Sequence, residues 1–444
     1  MYKGYIDTID YWLIPVYAVA LLGVLWVIQK RHSTNTLYQQ YLFSGFLFKL
    51  VLTLLYCFLI YYYWGFGDSI NYFKNVRYMR ELVDNGREGL QLLQQDHNYL
   101  LEQYDLEGSS NEAGWFLERI TFLLSYPGLG RFATTSMLFA LIAYSGMFKL
   151  LETLDDLMPE RRKYLAWGIL FFPTVTLYGS GILKDTIGIA ALGWLIYCNH
   201  QLIVKKQFKI RYWIIAALSV YLLLNIRAYI LAVMAVPYLI FLIMQVSSMI
   251  RLRWIRQAIF PVCILLLIIL WRFNAPLIEQ YLGDYAVEKL FENVKEQQQS
   301  YLNDPEAGGS TFTIGEIDPT VNGFINKMPV GITATLYRPF LWESKNVLMV
   351  FSALENLLLF GLLLFVISRT GLFRSLKILF TEPYVLLCLL FCILFATLIG
   401  LSTSNFGTLG RYRIPIVPLY IGALMLIEYK GRIIVPKKQA ENTA

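Results

Sequence analysis

The segment 383–401 reads PYVLLCLLFCILFATLIGL and contains no charged residue. An α-helix of that length rises about 28 Å, close to the roughly 30 Å hydrocarbon core of a bilayer. Similar apolar runs recur along the chain, in which only 16% of the 444 residues are charged. Soluble domains carry roughly 25% charged residues. The sequence therefore predicts an all-α, polytopic integral membrane helical bundle.

Eleven apolar runs are predicted to span the membrane, near 11–29, 42–63, 131–151, 163–180, 185–203, 212–225, 228–246, 256–272, 346–368, 383–401 and 412–428. The short connections carry basic clusters at Lys30–Arg31, Arg161–Lys163, Lys205–Arg211, Arg251–Arg256, Arg369–Lys377 and Lys430–Lys438. Lysine and arginine favour the cytoplasmic side. All of these clusters reach that side if the N-terminus is outside and the C-terminus is cytoplasmic. The pair 212–246 could instead contain a re-entrant segment.

The whole chain, 1–444, is predicted to form a single transmembrane domain with two long external segments, 64–130 and 273–345. In the first, Ile70, Phe73 and Val76 form an amphipathic stretch that could lie along the membrane surface. The second is expected to begin with a helix from Asp284 and to continue into a loop over 303–310. Neither segment is large enough to be a separate catalytic domain. Any chemistry is therefore expected between the spans and these segments.

Composition disfavours several classes of function. The formal charge of +7 comes mostly from clusters at the ends of apolar runs, so it does not indicate nucleic-acid binding. All five cysteines lie within apolar runs, which predicts buried, inert thiols. The chain shows no zinc-ligand spacing, no nucleotide-binding glycine loop, no Ser-His-Asp arrangement and no dense carboxylate cluster. We therefore expect neither a metal ion nor another cofactor.

Five short motifs hold the chemically unusual residues. They are Gly67–Ser69, Gly179–Asp185, Asn225–Tyr229, Leu336–Glu343 and Ser402–Arg413. In the predicted topology all five lie on the external side. Charge at membrane depth is costly and is usually either functional or paired. The motifs together predict a polar site at the external membrane face.

The connection between the fourth and fifth predicted spans contains Lys184 and Asp185. These residues could line a polar pocket, or Asp185 could cap the next helix while Lys184 extends to the interface. Ser180 and Gly181 permit a tight break whose amide groups can hold an anion. Arg227 is surrounded by apolar residues in the sequence, and it could point toward a ligand or act as an interfacial anchor.

The remaining candidates also have two readings each. Arg338 could bind a ligand, or it could form an ion pair with Glu343. Arg411 and Arg413 begin the last span, and because residues two apart point to different helix faces, only one is expected to face the interior. Asp68 could cap the amphipathic stretch, or it could act as a general base if an acceptor hydroxyl lies near it.

These residue types favour one class of substrate. Arginine binds phosphate oxygens through parallel hydrogen bonds. Aromatic rings suit the faces of sugars, and a groove between membrane helices suits a polyprenyl tail. Together they favour a lipid-linked sugar phosphate or diphosphate. Such a donor already carries its activation in the glycosyl–phosphate bond, so no nucleotide is needed outside the cell.

The motifs resemble those of the bacterial polysaccharide polymerases of the Wzy and EpsG-like group and, more loosely, those of the GT-C membrane glycosyltransferases. The residues concerned are Gly67–Asp68, Phe172–Pro173, Ser180–Asp185, Arg338–Glu343 and Gly410–Pro415. The resemblance implies transfer of an oligosaccharide from a polyprenyl diphosphate carrier to an acceptor glycan. It implies binding roles for the external arginines Arg227, Arg338, Arg411 and Arg413. It also implies a carboxylate in the first external loop, where Asp68 matches, although GT-C enzymes usually have one span before that loop and this chain has two.

The predicted activity is therefore that of a membrane glycosyltransferase, or polysaccharide polymerase, at the external or periplasmic face of the cytoplasmic (inner) membrane. Arg338 and Arg411 would hold the diphosphate and stabilise its charge as it leaves. Arg227 and Lys184 would assist them. Asp68 or Asp185 would accept the proton of the attacking hydroxyl.

The expected partners are a polyprenyl-phosphate-linked glycan, membrane lipid and other envelope-glycan biosynthesis proteins, and not nucleic acid. Two other classes of function stay open. A transporter or flippase for an anionic lipid-linked glycan would need charges within the spans, where the sequence offers few apart from Lys49. A scaffold for an envelope complex would need only the external segments and would tolerate loss of Arg338.

Overall fold

The structure is a computed structural model that describes residues 7–65, 67–95, 103, 111–248, 294–301, 310–315, 317–318 and 320–441. Over these residues the regular structure is helical, apart from one antiparallel bridge between Thr311 and Asn405. Seven described helices are long and apolar enough to cross a bilayer, and an eighth if the bent pair Phe406–Tyr412 and Ile416–Arg432 is one span. An all-α membrane protein is thus confirmed. The count of eleven spans and the orientation stay predictions, and the predicted span 256–272 lies outside the described residues.

Contacts divide the chain into two compact units, Met1–Leu231 and Ala232–Ala444. The helices of the first unit are α1 (Thr8–Arg31), α2 (Phe43–Phe58), α3 (Asp68–Asp84), α4 (Glu112–Ser125), α5 (Phe132–Leu157), α6 (Arg162–Ile169), α7 (Pro173–Tyr178) and α8 (Lys184–Asn199). Helix α9 (Ile210–Ser248) begins in this unit and continues into the second. The later helices are α10 (Val321–Tyr337), α11 (Val347–Thr370), α12 (Leu372–Thr381), α13 (Pro383–Ser402), α14 (Phe406–Tyr412) and α15 (Ile416–Glu441).

Each unit contains a pair of helices that pack with their backbones almost in contact. In the first unit, a Cβ at Gly146 of α5 would lie 2.2 Å from the carbonyl oxygen of Ala190 of α8. In the second, a Cβ at Gly400 of α13 would lie 2.1 Å from the carbonyl oxygen of Gly331 of α10. Small residues permit this approach, which is a main source of helix association in membranes.

The observed helices differ from the predicted spans at 163–180 and agree with them at 212–246. The predicted span 163–180 is split into α6 and α7, because Pro173 lacks an amide hydrogen and holds Phe172 in an extended conformation. The predicted spans 212–225 and 228–246 correspond to the two helical stretches of α9, which are separated by a kink at Arg227, a residue with non-helical backbone angles (φ −148°, ψ 59°). The helical stretches before and after Arg227 rise about 26 and 32 Å, so each is close to membrane thickness.

Both predicted external segments contain helices. In the first, Ile70, Phe73 and Val76 are buried within the first unit. The expectation that this apolar face lies along the membrane surface is therefore wrong, because protein side chains already cover it. In the second, residues 321–337 form α10, which packs against α13. The predicted helix start at Asp284 and most of the predicted loop 303–310 lie outside the described residues.

Candidate active site

Two of the predicted motifs meet in the first unit. Ser69 Oγ donates a hydrogen bond to the carbonyl oxygen of Ile182, 113 residues later, at 3.0 Å. The hydroxyl of Tyr56 on α2 lies 2.8 Å from the same Oγ. Because Ser69 and Ile182 are fully buried, this contact fixes the start of α3 against the connection that leads into α8. Tertiary structure thus joins the Gly67–Ser69 and Gly179–Asp185 motifs.

The connection between α7 and α8 is folded into the protein. Ser180, Gly181 and Ile182 are all buried. A Cβ at Gly181 would lie 2.0 Å from Cε1 of Tyr56, so only glycine fits against that ring. The carbonyl oxygen of Gly181 accepts hydrogen bonds from the amide of Leu183 at 2.9 Å and from Thr186 Oγ1 at 2.7 Å. Part of the buried backbone is thereby satisfied within the connection itself.

Lys184 is the first residue of α8, and it links α8 to α4. Its Nζ donates to Oδ1 of Asn111 at 2.8 Å and lies 5.8 Å from the ring centre of Tyr72. Asn111 is also the N-cap of α4, where the same Oδ1 accepts from the amide of Gly114 at 2.8 Å. The ammonium group is therefore held beside the N-terminus of α4, a position that favours negative ligands.

Asp185 forms a buried ion pair with Arg227. Its Oδ1 lies 2.7 Å from Nη2 of Arg227, and the two side chains are 5% and 10% exposed. The break of α9 falls at this arginine, whose guanidinium also lies 5.6 Å from the ring of Tyr229. Asp185 does not cap α8, since the N-cap position is Leu183. The arginine is buried and paired, so an interfacial anchor does not describe it.

A carboxyl group that the sequence reading missed lies close to Lys184. Glu118 of α4 is fully buried, and its Oε1 accepts from Nδ2 of Asn75 on α3 at 2.8 Å. Its Oε2 is buried and has no hydrogen-bond partner among the residues that the structure describes. Burial raises the pKa of Glu118 to about 8, against the opposing effects of the Asn75 hydrogen bond and the charge of Lys184. Such a value suits proton transfer near neutral pH.

In the second unit, Arg338 follows α10 and pairs with Glu343. Its Nε lies 3.0 and 3.1 Å from the two carboxylate oxygens, and its Nη2 also contacts Oε1. The guanidinium stacks 4.7 Å from the ring of Phe312, which itself stacks on Phe406 at 4.4 Å. Burial alone would raise the pKa of Glu343, but hydrogen bonds from Arg338 and the amide of Phe340 hold it below its ordinary value. The structure therefore contains the ion pair between Arg338 and Glu343 that was one of the two predicted alternatives.

The two arginines that precede the last helix have different surroundings. Arg413 is 1% exposed; its Nη1 donates to Oδ1 of Asn356, and its Nη2 lies 3.4 Å from Oε2 of Glu355. Arg411 is half-buried and lies over the ring of Tyr412 at 5.4 Å. Only Arg413 therefore faces the interior. Asn356 and Glu355 both belong to α11.

The structure thus brings only some of the predicted site residues together. Lys184, Asp185 and Arg227 lie together in the first unit, while Arg338, Glu343, Arg411 and Arg413 all belong to the second. Asp68 is exposed and opens the first turn of α3.

The buried position of Glu118 can be recognised in the sequence. Trp115, Glu118, Phe122 and Ser125 follow helical spacing, and all four are buried, so a carboxylate stands where an apolar residue would be expected.

Among the described residues there is no group of three or more His, Cys, Asp or Glu side chains that could hold a metal ion. Cys57, Cys198, Cys388 and Cys392 are buried free thiols, which confirms the prediction for these four; Cys263 lies outside the described residues. No family model, curated protein or solved structure matches the chain. The function of the chain must therefore be inferred from the site itself.

Proposed function

We propose that this protein is a membrane glycosyltransferase that takes a sugar or oligosaccharide from a polyprenyl-phosphate or polyprenyl-diphosphate carrier. The reaction would take place at the external face of the cytoplasmic membrane and would extend an envelope glycan. Its partners would be the lipid-linked glycan and other proteins of envelope-glycan synthesis. The membrane location of the helices and the chemistry of the first unit support this proposal.

The observation that carries the proposal is the cluster of ionisable groups at the start of α8. Lys184, Asp185, Arg227 and Glu118 come from three helices and are all at least partly buried. Removing charged groups from water costs several kcal/mol per ion before pairing offsets it. Groups gathered at such a cost, with one strongly shifted pKa among them, are typical of functional sites.

Lys184 and Arg227 are the proposed phosphate-binding groups. Asp185 holds the guanidinium of Arg227 in one orientation through Nη2, and a guanidinium carries five N–H donors in a fixed fork. Asn111 holds the ammonium of Lys184 in the same way. Positive groups that are fixed before the reaction stabilise the charge that develops on the leaving phosphate without reorganisation.

Glu118 is the proposed proton acceptor. The acceptor hydroxyl attacks the anomeric carbon, a new glycosidic C–O bond forms, and the bond from that carbon to the phosphate oxygen breaks. The electron pair leaves with the polyprenyl phosphate, and the hydroxyl proton passes to Glu118. Asp185 is less suited to this role because its Oδ1 is already bound to Nη2 of Arg227.

The test is a gene deletion complemented at matched protein levels with wild type, Lys184→Ala or Glu118→Gln. Surface glycans are separated on a gel, and polyprenyl-linked intermediates are extracted and assigned to a leaflet. We expect the two variants to lose long glycan and to accumulate unextended lipid-linked units in the outer leaflet. Units trapped in the inner leaflet would indicate a flippase, and unchanged glycans and lipids in the deletion strain would contradict both functions.

A further inference from the structure

Lys49 is a buried charge within a membrane-spanning helix. It lies in α2 and is 1% exposed. Its Nζ donates to the carbonyl oxygen of Gly179 at 2.5 Å and to that of Thr176 at 3.2 Å, and it lies 4.0 Å from Sδ of Met147. A charge in this position is costly unless specific acceptors offset the loss of water. The two carbonyl groups are those acceptors.

Both carbonyl groups lie at the C-terminal end of α7. Helix C-termini expose unpaired carbonyl oxygens and carry partial negative charge, so an ammonium group stabilises them. Gly179 is the C-cap of α7, and a Cβ there would lie 2.7 Å from the carbonyl oxygen of Val175 and 3.3 Å from Nζ of Lys49. Lys49 therefore caps α7 from a neighbouring helix, at the residue where the connection to α8 begins.

The same helix also fixes the other end of that connection. Tyr56 follows Lys49 by two helical turns and so lies on the same face of α2. Its hydroxyl reaches Ser69, whose Oγ donates to the carbonyl oxygen of Ile182. One face of α2 thus holds the connection at Gly179 and at Ile182, and Lys184 follows two residues later.

We propose that Lys49 is a positioning residue, whose ammonium group fixes the connection 179–183 and thereby sets the position of Lys184 and Asp185. The effect of Lys49 on catalysis rests on the proposed function, whereas its role in fixing the connection 179–183 does not. The proposal also accounts for the one mid-span charge that the sequence left unexplained. Lys49 binds backbone carbonyls of its own unit, and so it is not needed as a relay for a transported charge.

The test is hydrogen–deuterium exchange on the purified full-length protein in lipid nanodiscs, read on peptides that cover 176–186. Lys49→Met removes the donors, Lys49→Arg keeps a charged donor, and Lys30→Met is the control, since Lys30 ends α1 and lies over Trp26. We expect exchange in 176–186 to rise about 10- to 100-fold in Lys49→Met, the range for hydrogen bonds to a charged donor. Lys49→Arg should recover most of the protection, and Lys30→Met should match wild type.

A second variant covers the case in which Lys49→Met does not fold. Ser69→Ala removes the hydrogen bond at the other end of the connection, and we expect exchange in 176–186 to rise about 2- to 10-fold, as for a neutral hydrogen bond. Unchanged exchange in a folded Lys49→Met variant would overturn the proposal. An equal rise in Lys49→Met and Lys49→Arg, or a rise spread evenly over α5 and α13, would overturn it as well.

Glycan synthesis in the same variants separates the two proposals. If Lys49→Met opens the connection and long glycan persists, Lys49 fixes the connection but the proposed active site is wrong. If long glycan is lost while 176–186 stays protected, the positioning role is wrong and the proposed function stands. Loss of long glycan and of protection in 176–186 in Lys49→Met, with recovery of both in Lys49→Arg, supports the two proposals together.

Discussion

The two units hold their buried charges in different ways. In the second unit, Arg338 pairs with Glu343 and Arg413 lies against Glu355, so each guanidinium has a carboxylate beside it. In the first unit, Lys184 donates to the amide of Asn111, and Glu118 accepts from the amide of Asn75. A carboxylate neutralises the charge that it binds, whereas an amide orients a charge without neutralising it.

This difference separates charges that stabilise the fold from charges that act on a ligand. A buried arginine that is matched by a carboxylate holds two segments in register, and its removal leaves an uncompensated charge. The first unit contains such a pair in Arg227 and Asp185. It also contains Lys184 and Glu118, whose polar contacts include side-chain amides. We therefore assign the chemistry to the first unit and expect the arginines of the second unit to act mainly on stability.

The largest expected effect is on the rate of glycan transfer in Glu118→Gln. General base catalysis contributes roughly 100- to 10,000-fold, and the amide cannot accept the proton. Since the pKa of Glu118 is about 8, the base is ionised only above that value. The wild-type rate should therefore rise with pH through about 8, and this limb should be absent in Glu118→Gln.

Glu112→Gln is the matched control, because Glu112 lies exposed in the first turn of the same helix. Its rate and pH profile should match those of wild type in a membrane-vesicle assay with extracted lipid-linked units. An unchanged pH limb in Glu118→Gln would assign the proton acceptor to another group.

The next effect is on the stability of the second unit. Arg413→Met removes a cation that lies 3.4 Å from the buried Glu355, and breaking a buried pair costs about 3–5 kcal/mol. Thermal unfolding of the purified protein should therefore begin at a lower temperature. The double variant Arg413→Met with Glu355→Gln should recover part of the loss. Equal stability of the single variant and wild type would show that this pair does not hold α11 to the segment before α15.

Lys184→Ala should lower the transfer rate about 100- to 1000-fold, the range for one pre-organised group that stabilises developing negative charge. Lys184→Arg should retain part of the rate because the positive charge remains. Lys209→Ala is the control, since Lys209 is exposed in the connection that follows α8. A loss of less than tenfold in Lys184→Ala would remove this lysine from phosphate binding.

The smallest effect is expected for the Arg338–Glu343 pair. The two side chains are 19% and 20% exposed, and replacing both partners of an ion pair leaves no uncompensated charge, which is often close to neutral for stability. The double variant Arg338→Met with Glu343→Gln should change the equilibrium constant of unfolding by less than about tenfold. Its transfer rate should also change by less than about tenfold. A loss of transfer rate comparable to that of Lys184→Ala would instead indicate that Arg338 binds phosphate.

The sequence was sufficient for the fold class because apolar run length depends only on bilayer thickness. It failed at 163–180, where run length cannot show the break that Pro173 imposes, whereas the predicted separation of 212–225 from 228–246 agrees with the kink of α9 at Arg227. Orientation stays a prediction, since it rests on basic residues in the connections. Helix α10 was missed because its 17 residues lie in a segment without a clear apolar run.

The candidate site was predictable for residues whose charge interrupts apolar sequence. Lys184, Asp185 and Arg227 stand out in that way, and the structure brings them together. Their partners did not stand out, because Asn75 and Asn111 are ordinary polar residues of a polar segment. Glu118 was missed for the same reason, although its place on the buried face of α4 can be read from helical spacing. Asp68 was singled out because it lies where the chain leaves the second predicted span, and the resemblance added a carboxylate role at that position; it lies exposed in the structure.

The most direct test of enzymatic transfer uses the purified protein in liposomes with lipid-linked units extracted from the deletion strain. Neither nucleotide nor added metal is supplied, and glycan length is followed together with the leaflet in which the units lie. We predict that wild type lengthens the glycan and that Glu118→Gln does not, while Glu112→Gln behaves as wild type. Movement of units between leaflets with no change in glycan length would contradict the enzyme and identify a transporter.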